Sequence, residues 1–211
     1  MALASKALKR DMETILCSAQ ARVDGDDTTP TARKTRGLEH WITTNVSSGT
    51  SYAAPANATS ALTDGTIRTF SQVLLEDTLE TAFVNGAEPS YILCGPYSKR
   101  RISTFAGRSG SQVDVGKNEL IVGYDVYKSD FGTLKVVPSR WSRSRTVLGI
   151  DPDFVKVAFY RDFETYDISV QGSANTKVIE VEYGLEVSHE GAHFKIADVP
   201  GTKAADPSPL T

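Results

Sequence analysis

Tyr124-Asp-Val-Tyr-Lys-Ser-Asp-Phe-Gly-Thr-Leu-Lys-Val-Val-Pro138 is the stretch on which the reading of the fold turns. Residues 119–128, leading into it, alternate: Leu120, Val122, Tyr124 and Val126 fall on one side, Ile121, Gly123, Asp125 and Tyr127 on the other. A period of two marks a strand with one face on a core. Ser129-Asp130-Phe131-Gly132 then supplies turn chemistry, because an Asp carboxylate bonds its own backbone and Gly accepts positive φ. The β-branched run at 133–137 resumes the extended chain, and Pro138, lacking an N–H for a ladder, stops it. The stretch is predicted to be a β-hairpin, and the helices ahead of it need a sheet to lie on. Asp130-Phe131-Gly132 also spells a kinase metal motif, but that chemistry needs a Gly-rich loop, a strand Lys and a catalytic-loop Asp upstream, and the sequence offers none of these.

Immediately upstream, Thr69-Phe-Ser-Gln72 has the form of a capping box and opens a predicted helix to Asn85, with Gly86 as its left-handed stop. Leu75, Leu79, Ala82 and Phe83 would make its buried face. Tyr91-Ile-Leu-Cys94 reads as a short apolar strand. Gly95-Pro96 starts a further helix, Pro being tolerated in a first turn, with Ile102, Phe105 and Ala106 inward and Gly107 at its end. Lys99, Arg100 and Arg101 lie on its outer side; a phosphate site at the helix start is one reading, a solvated basic face the simpler one. Residues 108–117 form a Gly/Ser loop. Helix, strand, helix and hairpin together describe an α+β layer.

At the N-terminal end, Ala4, Leu8, Met12, Ile15, Leu16 and Ala19 share one helical face, which predicts a helix over 3–22. It starts without a Ser, Thr, Asp or Asn cap, which we read as a chain shortened at its N-terminus. Residues 23–36 form a loop whose acidic cluster lacks the spacing and closing Glu of a calcium loop. Residues 38–44 read as a short helix or turn carrying Trp41 and Ile42, and the Ser/Thr/Ala/Gly-rich span 47–64 as a mobile connection. Beyond the hairpin, Ser139-Arg-Trp-Ser-Arg-Ser-Arg145 is the most basic run, readable either as a single-stranded nucleic-acid contact or as a contact to an acidic neighbouring subunit. Strands are predicted at 147–150 and 155–160, on either side of the Asp151-Pro152-Asp153 turn. Residues 177–187 alternate with an apolar side (Ile179, Val181, Tyr183, Leu185, Val187) and an acidic one (Glu180, Glu182, Glu186), a strand with a wet face. Residues 200–211 are predicted to be a disordered tail.

The totals narrow the function classes. With 211 residues, 40% hydrophobic and 23% charged, the chain has the composition of a soluble globular protein able to bury a core. A net charge of −3 argues against a dedicated nucleic-acid binder. No apolar run approaches the roughly 20 residues that cross a bilayer, and the basic, amphipathic N-terminus is not a signal peptide. The sequons at Asn45 and Asn57 therefore carry no meaning, and Cys17 and Cys94 read as buried thiols.

One motif argues for an enzyme. His189-Glu190-Gly191-Ala192-His193 spells H-E-x-x-H, which in zinc peptidases works because a helix brings residues four apart to about 6 Å. Here it follows an alternating strand, contains Gly, and precedes Phe194 and Ile196. In an extended chain the two imidazoles would stand about 13 Å apart, too far to share an ion. A third ligand would have to come from upstream or from Asp198 or Asp206. A turn between two strands is the preferred reading and a zinc-dependent hydrolase on 189–193 the alternative. A cysteine hydrolase pairing Cys17 or Cys94 with His40 has no orienting third group.

Ala7-Leu-Lys-Arg-Asp-Met-Glu13, Thr31-Ala-Arg33 ahead of Gly37-Leu38 and Trp41-Ile42, and Ser98-Lys-Arg-Arg-Ile-Ser-Thr-Phe105 resemble the major capsid (head) proteins of tailed phages with the Hong Kong 97-type fold. So do 129–138 and the closing Val181-Glu-Tyr-Gly-Leu-Glu-Val187 with Ala192-His193. The resemblance runs to about residue 199. It implies an α+β shell fold with a long spine helix (3–22), a peripheral β-sheet and an axial α+β domain. Residues 1–48 and 174–190 would form the peripheral-type domain and 62–170 the axial-type domain, with 191–199 unassigned. Family members carry an N-terminal arm and an extended loop ahead of the spine helix, which agrees with a shortened chain. The implied function is a non-enzymatic subunit with no catalytic, cofactor-binding or metal-binding residues. It would assemble with copies of itself as hexamers and pentamers in the virion, formed in the bacterial host cytoplasm. It would enclose double-stranded DNA non-specifically, with scaffold, decoration or portal proteins as further partners and no membrane. Another virion component, of tail or decoration type, is the weaker variant of this reading.

Overall fold

The computed structural model describes residues 2–26, 28–105, 126–168, 172 and 176–209. A six-stranded mixed sheet carries most of the core: β1 (Val46–Ser47), β2 (Tyr91–Cys94), β3 (Val126–Ser129), β4 (Gly132–Pro138), β5 (Val147–Ile150) and β8 (Phe194–Ile196) in the order β1-β8-β5-β2-β4-β3. β2 runs parallel to β4 and antiparallel to β5; β8 runs antiparallel to β5 and parallel to β1. A separate antiparallel ribbon pairs β6 (Val155–Asp167) with β7 (Lys177–Val187).

The predicted hairpin is present. Ser129 pairs with Gly132 around the two-residue loop Asp130-Phe131, and the positive φ of the turn, 150°, falls on Gly132. Leu134 and Val136 are buried, Tyr127 packs on the same core, and Val126 is 48% exposed. The Tyr127 side of β3 is therefore the inward one. The alternation over 119–125, Ala106 and the 108–117 loop lie outside the described residues, but the helix that starts at Pro96 ends at Ser103, capped by Thr104, short of the expected Gly107.

Neighbouring residues of the short central strands point to opposite faces. Ile92, Cys94 and Val147 face a large core with Phe194, Ile196 and the helices; Leu93 and Leu148 face a smaller one with Leu38 and Ile42. The large core is roofed by α3 (Gln72–Val84) and α4 (Pro96–Ser103). Leu75, Thr78, Leu79 and Ala82 are the buried face of α3. Phe83, expected inward, is half exposed because it meets Phe131 of the hairpin tip, ring centroids 5.3 Å apart. The α3 cap is Ser71, whose Oγ accepts from Leu74 N at 3.2 Å. The capping box does not form, since the Thr69 hydroxyl is engaged with Asp206. Gly86, φ 83°, ends the helix as expected. In α4, Pro96 occupies the first turn, Ile102 is buried, and Phe105 packs edge-on to Phe70.

Three further expectations need correction. The first helix, α1 (Ala2–Leu16), stops short of residue 22. Ser18 Oγ donates to Ile15 O, Gln20 N bonds Ser18 Oγ, and Gly37 N bonds Gln20 O, so the chain leaves the helix to pair with 35–37. Gly37 permits that approach, because a Cβ there would lie 2.1 Å from Ser18 O. The 47–64 segment is not a mobile connection but is pinned by an Ala53–Thr63 bridge and by Thr66 N bonding Thr50 O. The tail is not disordered over 200–209: it makes a short 3-10 turn (Lys203–Ala205) and buries Asp206, on which Tyr97 Oη (2.7 Å), Ser208 N (3.0 Å) and Thr69 Oγ1 (3.2 Å) converge.

Burial alone would raise the Asp206 carboxyl; the bonds from Tyr97 and Ser208, with Arg101 close by, outweigh it and hold the pKa below the ordinary value of 3.8. A depressed carboxyl stabilises the fold above its unfolded pKa and loses that contribution as pH falls through the folded value. Asp206→Ala is therefore expected to speed amide exchange over 200–209 at neutral pH by roughly tenfold or more. The gap between variant and wild type should begin to narrow below about pH 3.8 and close only as pH falls through the lower folded value. Equal exchange in the two proteins at neutral pH would show that the tail is held by something else.

Candidate functional site: surfaces around a buried ionic seam

Two stretches that read as ordinary elements meet in a buried ionic seam. Glu39 of α2 (Leu38–Trp41) is 1% exposed, and its Oε1 accepts from Arg143 Nη1 and Thr146 Oγ1, both at 2.9 Å. Arg143 also pairs with Asp64. Lys195 of β8 is fully buried; its Nζ donates to Glu39 O at 2.8 Å and lies 5.4 Å from the Tyr52 ring centroid. Asp198, φ 60° and 1% exposed, accepts from Gly65 N (2.8 Å), Arg145 Nη2 (2.9 Å) and Gly49 N (3.0 Å). Gly49 and Gly65 admit this carboxylate because a Cβ on Gly65 would sit 2.6 Å from its oxygen.

Burial raises the Glu39 carboxyl above its ordinary range despite Arg143, and pushes the Lys195 ammonium down to about 8 despite Glu39. Arg143 meets Glu39 Oε1 and the Glu39 carbonyl meets the Lys195 ammonium, the kind of pairing that makes buried polar groups tolerable. The seam clamps α2, the 47–66 loop, the 143–146 turn and β8 together. Its groups hold one another, so its chemistry is that of a lock.

The basic run at 139–145 divides here. Arg143 and Arg145 turn inward as partners of Glu39, Asp64 and Asp198, which leaves Arg140 and Trp141 on the surface. The single-stranded nucleic-acid reading thereby loses two of its three cations. Trp141 instead receives the Arg10 guanidinium of α1 at 5.7 Å, and Ser139 bonds Glu13 of the same helix at 3.2 Å. Of the α4 cations, Arg101 is committed to the tail through Ser208 O (3.1 Å) and Asp206; Arg100 is exposed.

The H-E-x-x-H letters sit on a short 3-10 turn (Glu190–Ala192), not an α-helix. The Glu190 carboxylate accepts from Thr43 N at 2.9 Å, from Thr44 N at 3.3 Å and from the Thr44 hydroxyl, and these bonds hold it below the ordinary carboxylate range although burial opposes them. His193 is buried with Nδ1 accepting from Asp151 N at 3.2 Å, while His189 packs edge-on to Phe154. Among the described residues no three His, Cys, Asp or Glu side chains are grouped to hold a metal ion. The motif works as a strut that seats residues 43–44 against the turn before β8.

Cys17 and Cys94 are free thiols, both pushed up to about 11 chiefly by burial, the reverse of an activated nucleophile. His40 is used up: Nδ1 accepts from Arg36 Nε at 2.6 Å and Nε2 donates to Ser60 O at 2.7 Å, while burial lowers its pKa. Sequence reading missed Glu39 and Lys195, and it named Asp198 only as a possible third zinc ligand, not as the partner of Arg145. The available signal was Lys195, a cation between Phe194 and Ile196 in an apolar strand; nothing local marked Asp198.

The mixed sheet, its two roofing helices and the separate β6–β7 ribbon define a shell-type α+β fold. The chain resembles the SrpI encapsulin of Synechococcus elongatus PCC 7942 with a TM-score of 0.55 at 10% identity, over 95% of this chain and 64% of that one. It resembles a chain of the satellite phage P4 procapsid that includes the size determination protein with a TM-score of 0.57 at 11% identity, over 92% of this chain and 61% of that one. The chain thus spans less than two thirds of either. Curated protein sequences give no match. The model of the SU10 major capsid protein family matches residues 1–200, and the chain belongs to that family.

Proposed function

We propose that the chain is a structural shell subunit whose work lies in repeated contacts with copies of itself, forming the hexamers and pentamers of an icosahedral tailed-phage head around double-stranded DNA. The family match over 1–200 carries this reading, and the likeness of fold to an encapsulin and to a phage procapsid chain supports it. On this reading the protein resides in the virion after assembly in the bacterial host cytoplasm, with scaffold, decoration and portal proteins as further partners, and no residue is assigned a catalytic, cofactor or metal role.

The pairing of strands suggests how the domains divide. α1 and the β6–β7 ribbon form the peripheral-type body, and the six-stranded sheet with α3 and α4 the axial-type body. Residues 155–167 then go with 177–187 as their ladder partner, although the sequence reading put them in the axial part. Sedimentation velocity and electron microscopy of the purified chain test the proposal. Concentration-dependent multimers or closed particles are expected; a species that stays monomeric at every concentration would overturn it.

A further inference from the structure

The outer side of α3 is unlike an ordinary solvated helix face. From residue 69 to 98 the chain carries four carboxylates, Glu76, Asp77, Glu80 and Glu88, and no Lys or Arg. Val73, Asp77, Glu80 and Val84, spaced by four, three and four, form one stripe opposite the buried face. The valines at its two ends are 63% and 77% exposed, and neither Asp77 nor Glu80 has a cationic partner among the described residues. Apolar ends around unpaired charge suit a face that another surface covers.

The complementary surface lies on a different part of the same chain. Where α1 meets the 139–141 turn, Arg10 lies over Trp141, which is 38% exposed, and the next residue back in the chain, Arg140, is exposed. Neither arginine has a carboxylate partner among the described residues. A cation over an exposed aromatic ring, with the exposed Arg140 next to it in the chain, matches an acidic stripe with apolar ends in both sign and character.

We propose that the α3 stripe of one subunit docks on the Arg10–Trp141–Arg140 patch of a second copy. The two surfaces differ, so the contact is heterologous and closes by rotation into a ring, as a capsomer requires. The inference rests on the shell-subunit reading and names the partner and the faces that meet.

A charge exchange tests it. Asp77→Lys with Glu80→Lys leaves a subunit with two cationic faces; Arg10→Glu with Arg140→Glu leaves one with two acidic faces. Each double variant alone is expected to associate at least about tenfold more weakly than wild type by sedimentation velocity, with unchanged far-ultraviolet circular dichroism. An equimolar mixture should associate again, because both alternating contacts then pair opposite charges. Variants that assemble like wild type, or a mixture that stays dissociated although both partners are folded, would overturn the docking while leaving the shell reading intact. A patch variant that assembles normally but loses retention of a double-stranded DNA fragment would assign the patch to DNA and overturn it equally. A wild-type chain that never associates removes the shell reading and this contact with it.

Discussion

Glu39→Ala is expected to lower the unfolding free energy by about 3 kcal/mol, the lower end of the range for removing one partner of a buried ion pair. Arg143 is 26% exposed and recovers part of its hydration, which is why the upper end is not expected. Lys195 recovers nothing: it is fully buried, and the carboxylate that offsets its charge is gone. Thr146 Oγ1 also loses its acceptor. Glu39→Gln separates charge from hydrogen bonding, because the amide oxygen still accepts from Arg143 and Thr146; it should cost less than the alanine variant. Urea denaturation of the three proteins under conditions that keep them monomeric measures the difference. An alanine variant within about 0.5 kcal/mol of wild type would mean that water enters the seam and supplies what Glu39 supplied.

Phe194→Ala should cost about 3–5 kcal/mol, the range for emptying an aromatic core position. The ring is fully buried and lies across Gly149, its partner in the β5–β8 ladder. A Cβ on Gly149 would stand 1.9 Å from the nearest ring atom, so Gly149→Ala alone forces ring or strand to move, at about 1–3 kcal/mol or more. The two changes are complementary in volume. The double variant should therefore lose less than the sum of the singles, by about 1 kcal/mol or more in a thermodynamic cycle. Strict additivity would show that the strand, and not the ring, yields in Gly149→Ala.

Both predictions concern residues that local pattern reading handles unevenly. The hairpin, the 91–94 strand, the Pro96 helix start, the 177–187 strand and the turn at 189–193 were legible because each depends on neighbours in sequence: alternation, turn chemistry, a cap or a stop. The end of α1 was not, because it is decided by bonds from 18–20 to 35–37 that no helical pattern foretells. The order of residues 200–209 was missed for the same reason. It rests on Asp206 reaching Tyr97 and Thr69, more than a hundred positions away. Composition likewise suggested that 47–64 was slack, whereas its small residues are what let two backbone stretches close on the Asp198 carboxylate. The basic run at 139–145 shows the limit most plainly, since counting charges cannot say which arginines face inward.

The position of β8 sets when this molecule is able to finish folding. Among the described residues it comes last of the strands, yet it lies inside the sheet, between β1 and β5. A nascent polypeptide on the ribosome has an unfilled slot there until residues 194–196 emerge, with β1 unpaired and Lys195 not yet delivered to Glu39. Such long-distance closure slows folding, and until it is made the sheet lacks the rigidity a subunit needs to meet its neighbours.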